Sequence, residues 1–370
     1  EAIQAALSAA LRIADLIIVT GGLGPTRDDL TRPAVADLLG LDLQPDPDIV
    51  DDLRERFRAR GIPDLPTSNL SQAEVPRGAQ VLTNKLGSAP GLLMEHEGRS
   101  VALLPGVPRE MRGIFDDVLA DVLRDRFEDR LVPLVHRTLY TTGIAESVLG
   151  ERVDEVRAGL PEEVDLAFLP GLRGVSIRIS IRSRADVSAK FLDEAQAVLD
   201  PVVAPYRIGM EKGDLVEAVA DALTNESYTL AVAESCTGGL IAKRITDFPG
   251  SSTYFRGGVV AYADQIKIEL LGVDEAVLVE NGAVSEVVAA GMARGVSDLL
   301  NADVGVGITG IAGPEGGTPE KPVGTVWYAV SVKGAVRASH RVFSGDREAV
   351  RERASQAALR LLYQTLADGP

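Results

Sequence analysis

The stretch TLAVAESCTGG, from Thr229 to Gly239, determines how the last third of the chain is interpreted. Its apolar first half predicts a buried strand over 229–233, and the small and polar residues that follow predict a turn into a helix. Backbone N–H groups at such a turn bind anions, and glycines allow a ligand to come close. The turn therefore suits a phosphate or the oxyanion of an acyl-transfer intermediate, with helix capping as the alternative interpretation.

Three further segments of this region carry residues suited to chemistry. The segment YADQIK runs from the end of a predicted strand into a predicted helix that bears Lys267. A lysine that has lost its proton can act as a base for a serine. The alternative is an ordinary solvated lysine. The segment 310–317, GIAGPEGG, is too rich in glycine for a simple connection. In SGDR, Arg347 either binds a phosphate or pairs with the aspartate beside it.

The rest of this region alternates strands with helices, which is typical of an α/β domain. Ser285 is a suitable N-cap for one of the helices. The predicted strands are 229–233, 256–262, 304–308, 323–332 and 336–343, and the predicted helices are 214–223, 264–271, 286–300 and 346–366.

Residues 1–130 show the same alternation, which predicts a parallel sheet covered on both faces. Predicted strands are 16–19 and 101–104; predicted helices are 33–39, 48–60 and 111–126. The turn GGLGPTRDDLT follows the first strand, lacks the GxGxxG spacing of a dinucleotide site, and still lies where open α/β sheets bind ligands. Asp28 and Asp29 either hold a divalent cation or cap the next helix.

Two more loops of this first region, 87–91 and 104–111, are expected to meet at neighbouring strand ends. The opening of the chain reads as a helix that runs directly into a buried strand. A buried strand needs neighbours on both sides, so we expect part of this domain to lie upstream of Glu1.

Residues 134–206 follow a different pattern. Strands at 134–140, 164–169, 175–181 and 201–207, with helices at 144–157 and 185–199, give the β-α-β-β-α-β order of a ferredoxin-like fold. Gly171 to Gly174 spells the GxxG of a KH module, which clamps RNA. Because basic residues are scarce around it, a tight hairpin turn is the better interpretation.

Composition narrows the classes of function. The 370 residues suggest two or three domains, and 38 basic against 54 acidic residues give a net charge of −16, which disfavours direct nucleic-acid binding. One cysteine and three histidines exclude a disulfide framework and a thiolate zinc site. The absence of a long apolar run or an export signal predicts a cytoplasmic protein without membrane association. Acidic charge and exposed sheet edges lead us to expect a homo-oligomer.

Taken together, ESCTGG, YADQIK, GITGIAGPEGG and FSGDR resemble the C-terminal domain of the CinA family over about 210–370. That family hydrolyses the carboxamide of nicotinamide mononucleotide to nicotinic acid mononucleotide and ammonia. The resemblance implies Ser235 as nucleophile, Lys267 as general base and Tyr262 as an orienting neighbour, with no cofactor. We expect Ser235 to attack and Cys236 to pack inward. The implied substrate-binding residues are Thr237, Gly238, Gly239, Gly310, Gly313 and Arg347.

The family more often has Ser-Asn where this chain has Ala263-Asp264. An acidic residue at that point is expected either to repel a phosphate or to hold the proton on Lys267. The resemblance therefore implies the same reaction but leaves its rate open.

GGLGPTRDDLT together with LPGVPREM is similar to the molybdopterin-binding-like domain of CinA proteins, some of which use it as a metal-dependent ADP-ribose pyrophosphatase. The family's first strand and its Gly-Thr-Glu-Leu segment are missing. The resemblance implies a divalent-metal site at Asp28 and Asp29. The implied nucleotide site comprises Gly21, Gly22, Gly24, Asp29, Pro105, Gly106 and Glu110.

The predicted architecture is α/β with three domains: 1–132, molybdopterin-binding-like and N-terminally incomplete; 133–207, an α+β domain of ferredoxin-like or KH-like type that resembles the family's linker; and 208–370, the amidohydrolase. Both implied activities belong to pyridine-nucleotide recycling. Two alternatives remain open at this point: a molybdopterin-handling protein with an inactive last domain, and a non-enzymatic scaffold in competence or DNA damage.

Overall fold

The computed structural model describes residues 1–183, 188–207 and 214–368. The chain forms two compact units, Glu1–Leu131 and Val132–Pro370. The division lies one residue before the end predicted for the first domain. The predicted border between 207 and 208 adjoins residues outside the described part, and the three-domain division stays a prediction.

The first unit contains a mixed four-stranded sheet in the order β1-β6-β5-β4. Only β1 and β6 are parallel, whereas β5 pairs antiparallel with both β6 and β4, so the prediction of a parallel sheet was wrong in this respect. The reason is the tight turn at Glu97 and Gly98, both with positive φ, since so short a connection joins only antiparallel strands. The elements are α1 (Ala2–Leu11), β1 (Leu16–Thr20), α2 (Thr31–Leu39), β2 (Leu43–Pro45), α3 (Pro47–Ala59), β3 (Glu74–Pro76), β4 (Gln80–Leu82), β5 (Gly91–His96), β6 (Arg99–Leu104), α4 (Pro108–Ile114) and α5 (Ala120–Phe127).

Strand β6 shows why helices cover both faces of this sheet. Val101 and Leu103 pack into a cluster with residues of α1, α2 and α3. Ala102 and Leu104 point the other way and pack against α4 and α5. The predicted helix 111–126 is present, although its middle, Phe115–Leu119, forms a π-helical turn between α4 and α5.

The second unit begins with a three-stranded antiparallel sheet in the order β7-β9-β8. Along β9, Val175, Ile177, Ile179 and Ile181 are buried, as their alternation predicted. Gly171 pairs directly with Gly174, so the GxxG sequence is the two-residue hairpin turn that was expected. The elements are β7 (Leu134–Thr141), α6 (Glu146–Val156), β8 (Val164–Gly171), β9 (Gly174–Arg182) and α7 (Ser188–Val203).

The strand predicted at 201–207 was wrong. Helix α7 continues through Pro201 to Val203, a 3-10 turn follows, and only Arg207 forms a bridge, with Thr141. Val203 is fully buried in line with Leu199, and this packing extends the helix past the proline. The predicted start of the helix, 185–187, lies outside the described residues.

The second sheet of this unit has five strands in the order β11-β10-β12-β13-β14. Strand β10 is parallel to β11 and β12, and β13 and β14 continue the sheet antiparallel. The elements are α8 (Leu215–Asn225), β10 (Leu230–Glu234), α9 (Leu240–Thr246), β11 (Phe255–Val260), α10 (Asp264–Glu269), α11 (Glu275–Asn281), α12 (Glu286–Leu300), β12 (Val304–Gly310), β13 (Thr325–Val332), β14 (Ala335–Val342) and α13 (Arg347–Asp368).

Strand β10 is buried on both faces. Leu230 and Val232 pack with α8, α9 and α13, while Ala231 and Ala233 pack with α12. From β10 the chain proceeds to β11 on one side, and from β12 it proceeds to β13 on the other. The carboxyl ends of β10 and β12 therefore flank the point where the winding direction changes, which is where open α/β sheets bind ligands.

Among the described residues, none of the helices combines the length and the apolar character needed to cross a membrane.

Candidate active site

A cavity of about 210 Å³ lies at this edge of the five-stranded sheet. All four segments singled out in the sequence contribute residues to its lining. Its lining comprises Ser235, Cys236, Tyr262, Asp264, Lys267, Ala283, Val284, Thr309, Gly310, Ala312 and Arg347.

Ser235 is fixed at the mouth of the turn by the neighbouring strand. Its N–H donates to the carbonyl of Ile308 at 3.0 Å, and the residue is 8% exposed. Cys236 belongs to the hydrophobic core cluster of the domain. Burial raises the pKa of the Cys236 thiol to about 12, against the weaker opposing effect of the adjacent backbone N–H groups. Its thiolate is therefore scarce at neutral pH, which disfavours it as the nucleophile.

The glycine turn itself is held by a buried carboxylate that the sequence did not single out. Glu234 accepts hydrogen bonds from the N–H groups of Gly239 at 3.0 Å, Ile241 at 3.1 Å and Ala242 at 2.8 Å. The N–H of Gly238 donates to the carbonyl of Ser235. The amides of Gly238 and Gly239, expected to bind the substrate, already have acceptors in this structure, and their role in substrate binding stays a prediction.

Thr237 is likewise part of the framework of the turn. It is fully buried, and its carbonyl accepts from Nη2 of Arg351 at 2.7 Å and from Nε at 3.3 Å. Sequence reasoning missed Arg351 because it lies on α13, far along the chain, and no motif marks it. Gly238 and Gly239 have φ values of 59° and 92°, a region that favours glycine, so they shape the turn.

Lys267 is almost completely buried on the wall of the cavity. Its Nζ donates to Oδ1 of Asp264 at 3.0 Å and to the carbonyl of Tyr262 at 3.3 Å. Neither of these bonds goes to Ser235, with which Lys267 shares the cavity. The aspartate that replaces the family's usual asparagine is thus the direct ionic partner of Lys267.

Arg347 joins three of the segments at the mouth of the cavity. Its Nη1 donates to the carbonyl of Gly313 at 2.6 Å, and its Nη2 donates to the hydroxyl of Tyr262 at 3.0 Å. The aspartate beside it, Asp346, instead accepts from the N–H of Ala349 and caps α13. The guanidinium therefore faces the cavity and does not pair with its neighbour.

In the first unit, the glycine turn after β1 contacts the loop after β6. The N–H of Gly21 donates to the carbonyl of Leu104, and a side chain on Gly106 would come within 3.2 Å of the Gly21 Cα. The expected contact between loops 87–91 and 104–111 is present, because the carboxylate of Glu110 occupies the place where a side chain at Gly87 would lie. The same carboxylate accepts from Nδ2 of Asn84 at 2.7 Å. Pro105 and Gly22 lie in the same two turns.

The carboxylates expected to bind metal are arranged differently. Asp29 accepts from the N–H and the hydroxyl of Thr26, at 2.9 and 2.7 Å, and the hydroxyl bond lowers the pKa of Asp29. Gly24 provides the space for that carboxylate. In the described part of the chain no three His, Cys, Asp or Glu side chains, Asp28 included, converge on one point.

The comparisons with known proteins agree with the fold. Residues 212–366 match the model of the CinA C-terminal domain. A CinA-like protein of Gemmatimonas aurantiaca is 45% identical over 369 residues, which cover 99% of this chain and 86% of that protein. The chain belongs to the CinA family. A CinA-like protein of Salinibacter ruber is 43% identical over 367 residues, covering 99% of this chain and 88% of that protein.

The first unit also has a counterpart among known families. Residues 1–125 match the model described as "Probable molybdopterin binding domain".

Among solved structures, a competence-damaged protein (CinA) superfamily protein of Klebsiella pneumoniae is 36% identical, with a TM-score of 0.41. The match covers 42% of this chain and 96% of the Klebsiella chain. The family model confirms the molybdopterin-binding-like first domain, and the helices and strands of the structure give the mixed α/β class.

Proposed function

We propose that the chain hydrolyses the carboxamide of nicotinamide mononucleotide, with Ser235 as nucleophile and Lys267 as general base. The observation that carries this proposal is that both side chains, each buried, line one cavity at the carboxyl edge of the parallel strands. The family resemblance supplies the substrate, and the cavity supplies groups suited to the reaction. Cys236, the competing nucleophile, is disfavoured by its protonated thiol.

The proposed reaction has two halves. Ser235 Oγ bonds to the carboxamide carbon while its proton passes to the neutral Lys267 Nζ, which then returns the proton to the departing nitrogen. Ammonia leaves and an acyl-serine ester remains. Water then attacks the ester carbon with the same lysine as base, and this step releases nicotinic acid mononucleotide and regenerates the serine.

The developing oxyanion needs N–H donors, of which the Thr237 amide was already expected and the Cys236 amide was not. Since Gly238 and Gly239 donate within the turn, the N–H groups of Cys236 and Thr237, directly after the nucleophile, are the donors we assign to it. Arg347 lies at the mouth, where its charge suits the phosphate of the substrate.

The direct test is ammonia release from nicotinamide mononucleotide by the full chain. We expect Ser235→Ala to lower kcat by roughly 10⁴-fold or more, because the nucleophile is removed. Cys236→Ala, its matched control at the next position, should retain most of the activity. Loss in the cysteine variant alone would overturn the assignment of the nucleophile.

Metal-dependent cleavage of ADP-ribose by the first unit is a second proposal, favoured by the contact between the turns at Gly21 and Gly106. Its test is AMP release with and without a divalent metal, in the wild type and in Asp29→Ala. Tight molybdopterin binding without ammonia release would favour a molybdopterin-handling role, and steep salt-dependent DNA affinity would favour a role in competence or DNA damage. The cytoplasmic location and the homo-oligomer stay predictions.

A further inference from the structure

A second cavity, of about 620 Å³, lies within the second unit between the hairpin turn at 171–174 and helix α13. It shares no lining residue with the Ser235 cavity. Among the described residues, four guanidinium groups and one carboxylate, Glu146, line it, in a chain whose net charge is −16. The arginines are Arg173, Arg341, Arg353 and Arg360.

The four arginines differ in how their charges are balanced. Arg173 pairs with Asp214 at 2.6 Å and with Glu352 at 3.0 Å. Arg341 and Arg360 form no ion pair with any carboxylate of the described residues. Burial lowers the pKa of Arg360, and the charge of nearby Arg341 acts in the same direction. Within the described part of the chain, the like charges of Arg341 and Arg360 thus lie close together without a carboxylate partner, an arrangement that an anion would stabilise.

The position of Arg360 is built into the backbone. Gly143 has a φ of 77°, and the guanidinium of Arg360 occupies the place where a side chain at Gly143 would lie. Any other residue at 143 would displace this guanidinium. The lining also includes apolar surface, with Tyr328 buried and Phe343 partly buried against the core.

We propose that this cavity binds a phosphorylated nucleoside. The guanidinium groups of Arg341 and Arg360 match phosphate oxygens in charge and in fork geometry. The cavity volume lies within the range of about 300–1,000 Å³ that small-molecule sites occupy, and its apolar walls suit a base and ribose. A longer polyanion such as single-stranded RNA fits less well, because the chain as a whole is acidic.

The experiment is calorimetric titration of the full chain with ADP, with adenosine as the uncharged comparison. Arg341→Gln and Arg360→Gln should each weaken ADP binding at least tenfold, and adenosine should bind at least tenfold more weakly than ADP. Arg337→Gln is the matched control, because Arg337 lies on the same strand as Arg341 but pairs with Asp368 away from the cavity. Its affinity for ADP should stay within twofold of the wild type.

Three results would overturn the proposal. One is no ADP binding by the wild type, and another is equal ADP affinity in all three variants, which would place the nucleotide elsewhere. The third is an oligoribonucleotide that binds more tightly than ADP and loses affinity in Arg360→Gln. Ammonia release by Arg360→Gln should equal that of the wild type, so failure here is distinguishable from failure of the proposed deamidation.

Discussion

The first sheet and the five-stranded sheet each have a glycine-rich turn at the carboxyl end of a strand. The two turns differ in the side chains that lie beside them. At the edge of the first sheet, the turns at Gly21 and Gly106 touch, and the nearby carboxylate of Asp29 is only partly buried and accepts from Thr26. At the edge of the five-stranded sheet, Ser235 and Lys267 are buried and line a cavity. The glycine turn marks where a ligand reaches a sheet, whereas buried reactive groups decide what chemistry follows.

The test of this contrast with the largest expected effect removes the buried amine of Lys267. Lys267→Met keeps the length of the side chain and should lower kcat for ammonia release by about 10²–10⁴-fold, the range of general-base catalysis. Lys243→Met is the matched control, because Lys243 is an exposed lysine paired with Asp247. A Lys267 variant with wild-type kcat would remove the distinction between the two edges.

Alkylation of the lone cysteine sharpens the assignment of the nucleophile. The pKa of the Cys236 thiol is raised from 9.0 to about 12, so the thiolate becomes abundant only as the pH approaches 12. At pH 8 iodoacetamide should therefore react with the native chain roughly a thousandfold more slowly than with the urea-unfolded chain. Rates within tenfold of each other would restore Cys236 as a candidate nucleophile.

The carboxylates of Glu234 and Asp29 should differ in how much each one stabilises its turn. Glu234→Gln should weaken the start of α9 by about 2–3 kcal/mol, because charge-assisted bonds to three N–H groups are lost. Hydrogen exchange at the amides of Ile241 and Ala242 should then accelerate by roughly 30–150-fold.

Asp29→Asn, in the first unit, is the comparison variant. Because Asp29 is less buried than Glu234, its loss should accelerate exchange at Thr26 by less than about fivefold, which corresponds to about 1 kcal/mol. A similar change at both turns would show that burial of the carboxylate does not set the difference.

The smallest expected effect concerns the ion pair beside the base. Asp264→Asn removes the negative charge that holds the Lys267 ammonium at 3.0 Å and should raise kcat by about fivefold, as for a partly exposed pair worth about 1 kcal/mol. Asp247→Asn, which breaks the exposed pair with Lys243, should leave kcat unchanged. A fall in kcat for Asp264→Asn would instead make the carboxylate part of the proton path.

Much of the fold could be predicted because burial leaves a periodic pattern in sequence. The alternation along 175–181 and the apolar runs at 16–19 and 304–308 each became a strand within one or two residues. Short pairs such as β2 and β3, with three residues each, carry too little pattern to be recognised. The helix through Pro201 escaped prediction because the burial of Val203 outweighed the local signal of the proline.

The site was predicted less completely than the fold. Motifs identified the segments that bear Ser235, Lys267 and Arg347, all of which line one cavity. Hydrogen bonds between distant residues were not predictable, since no local pattern indicates that Arg351 meets Thr237. The acceptor for the glycine amides, Glu234, stood inside the motif, but sequence alone does not reveal in which direction its carboxylate points.

The buried carboxylate of Glu234 also has a thermodynamic consequence for ligand binding. Because the loop that bears the serine is tied down by three N–H bonds before any ligand arrives, its ordering belongs to folding and not to association. The heat-capacity change of substrate binding should then be proportional to the apolar surface that the ligand buries. The additional heat-capacity change of a site that folds on binding should not occur.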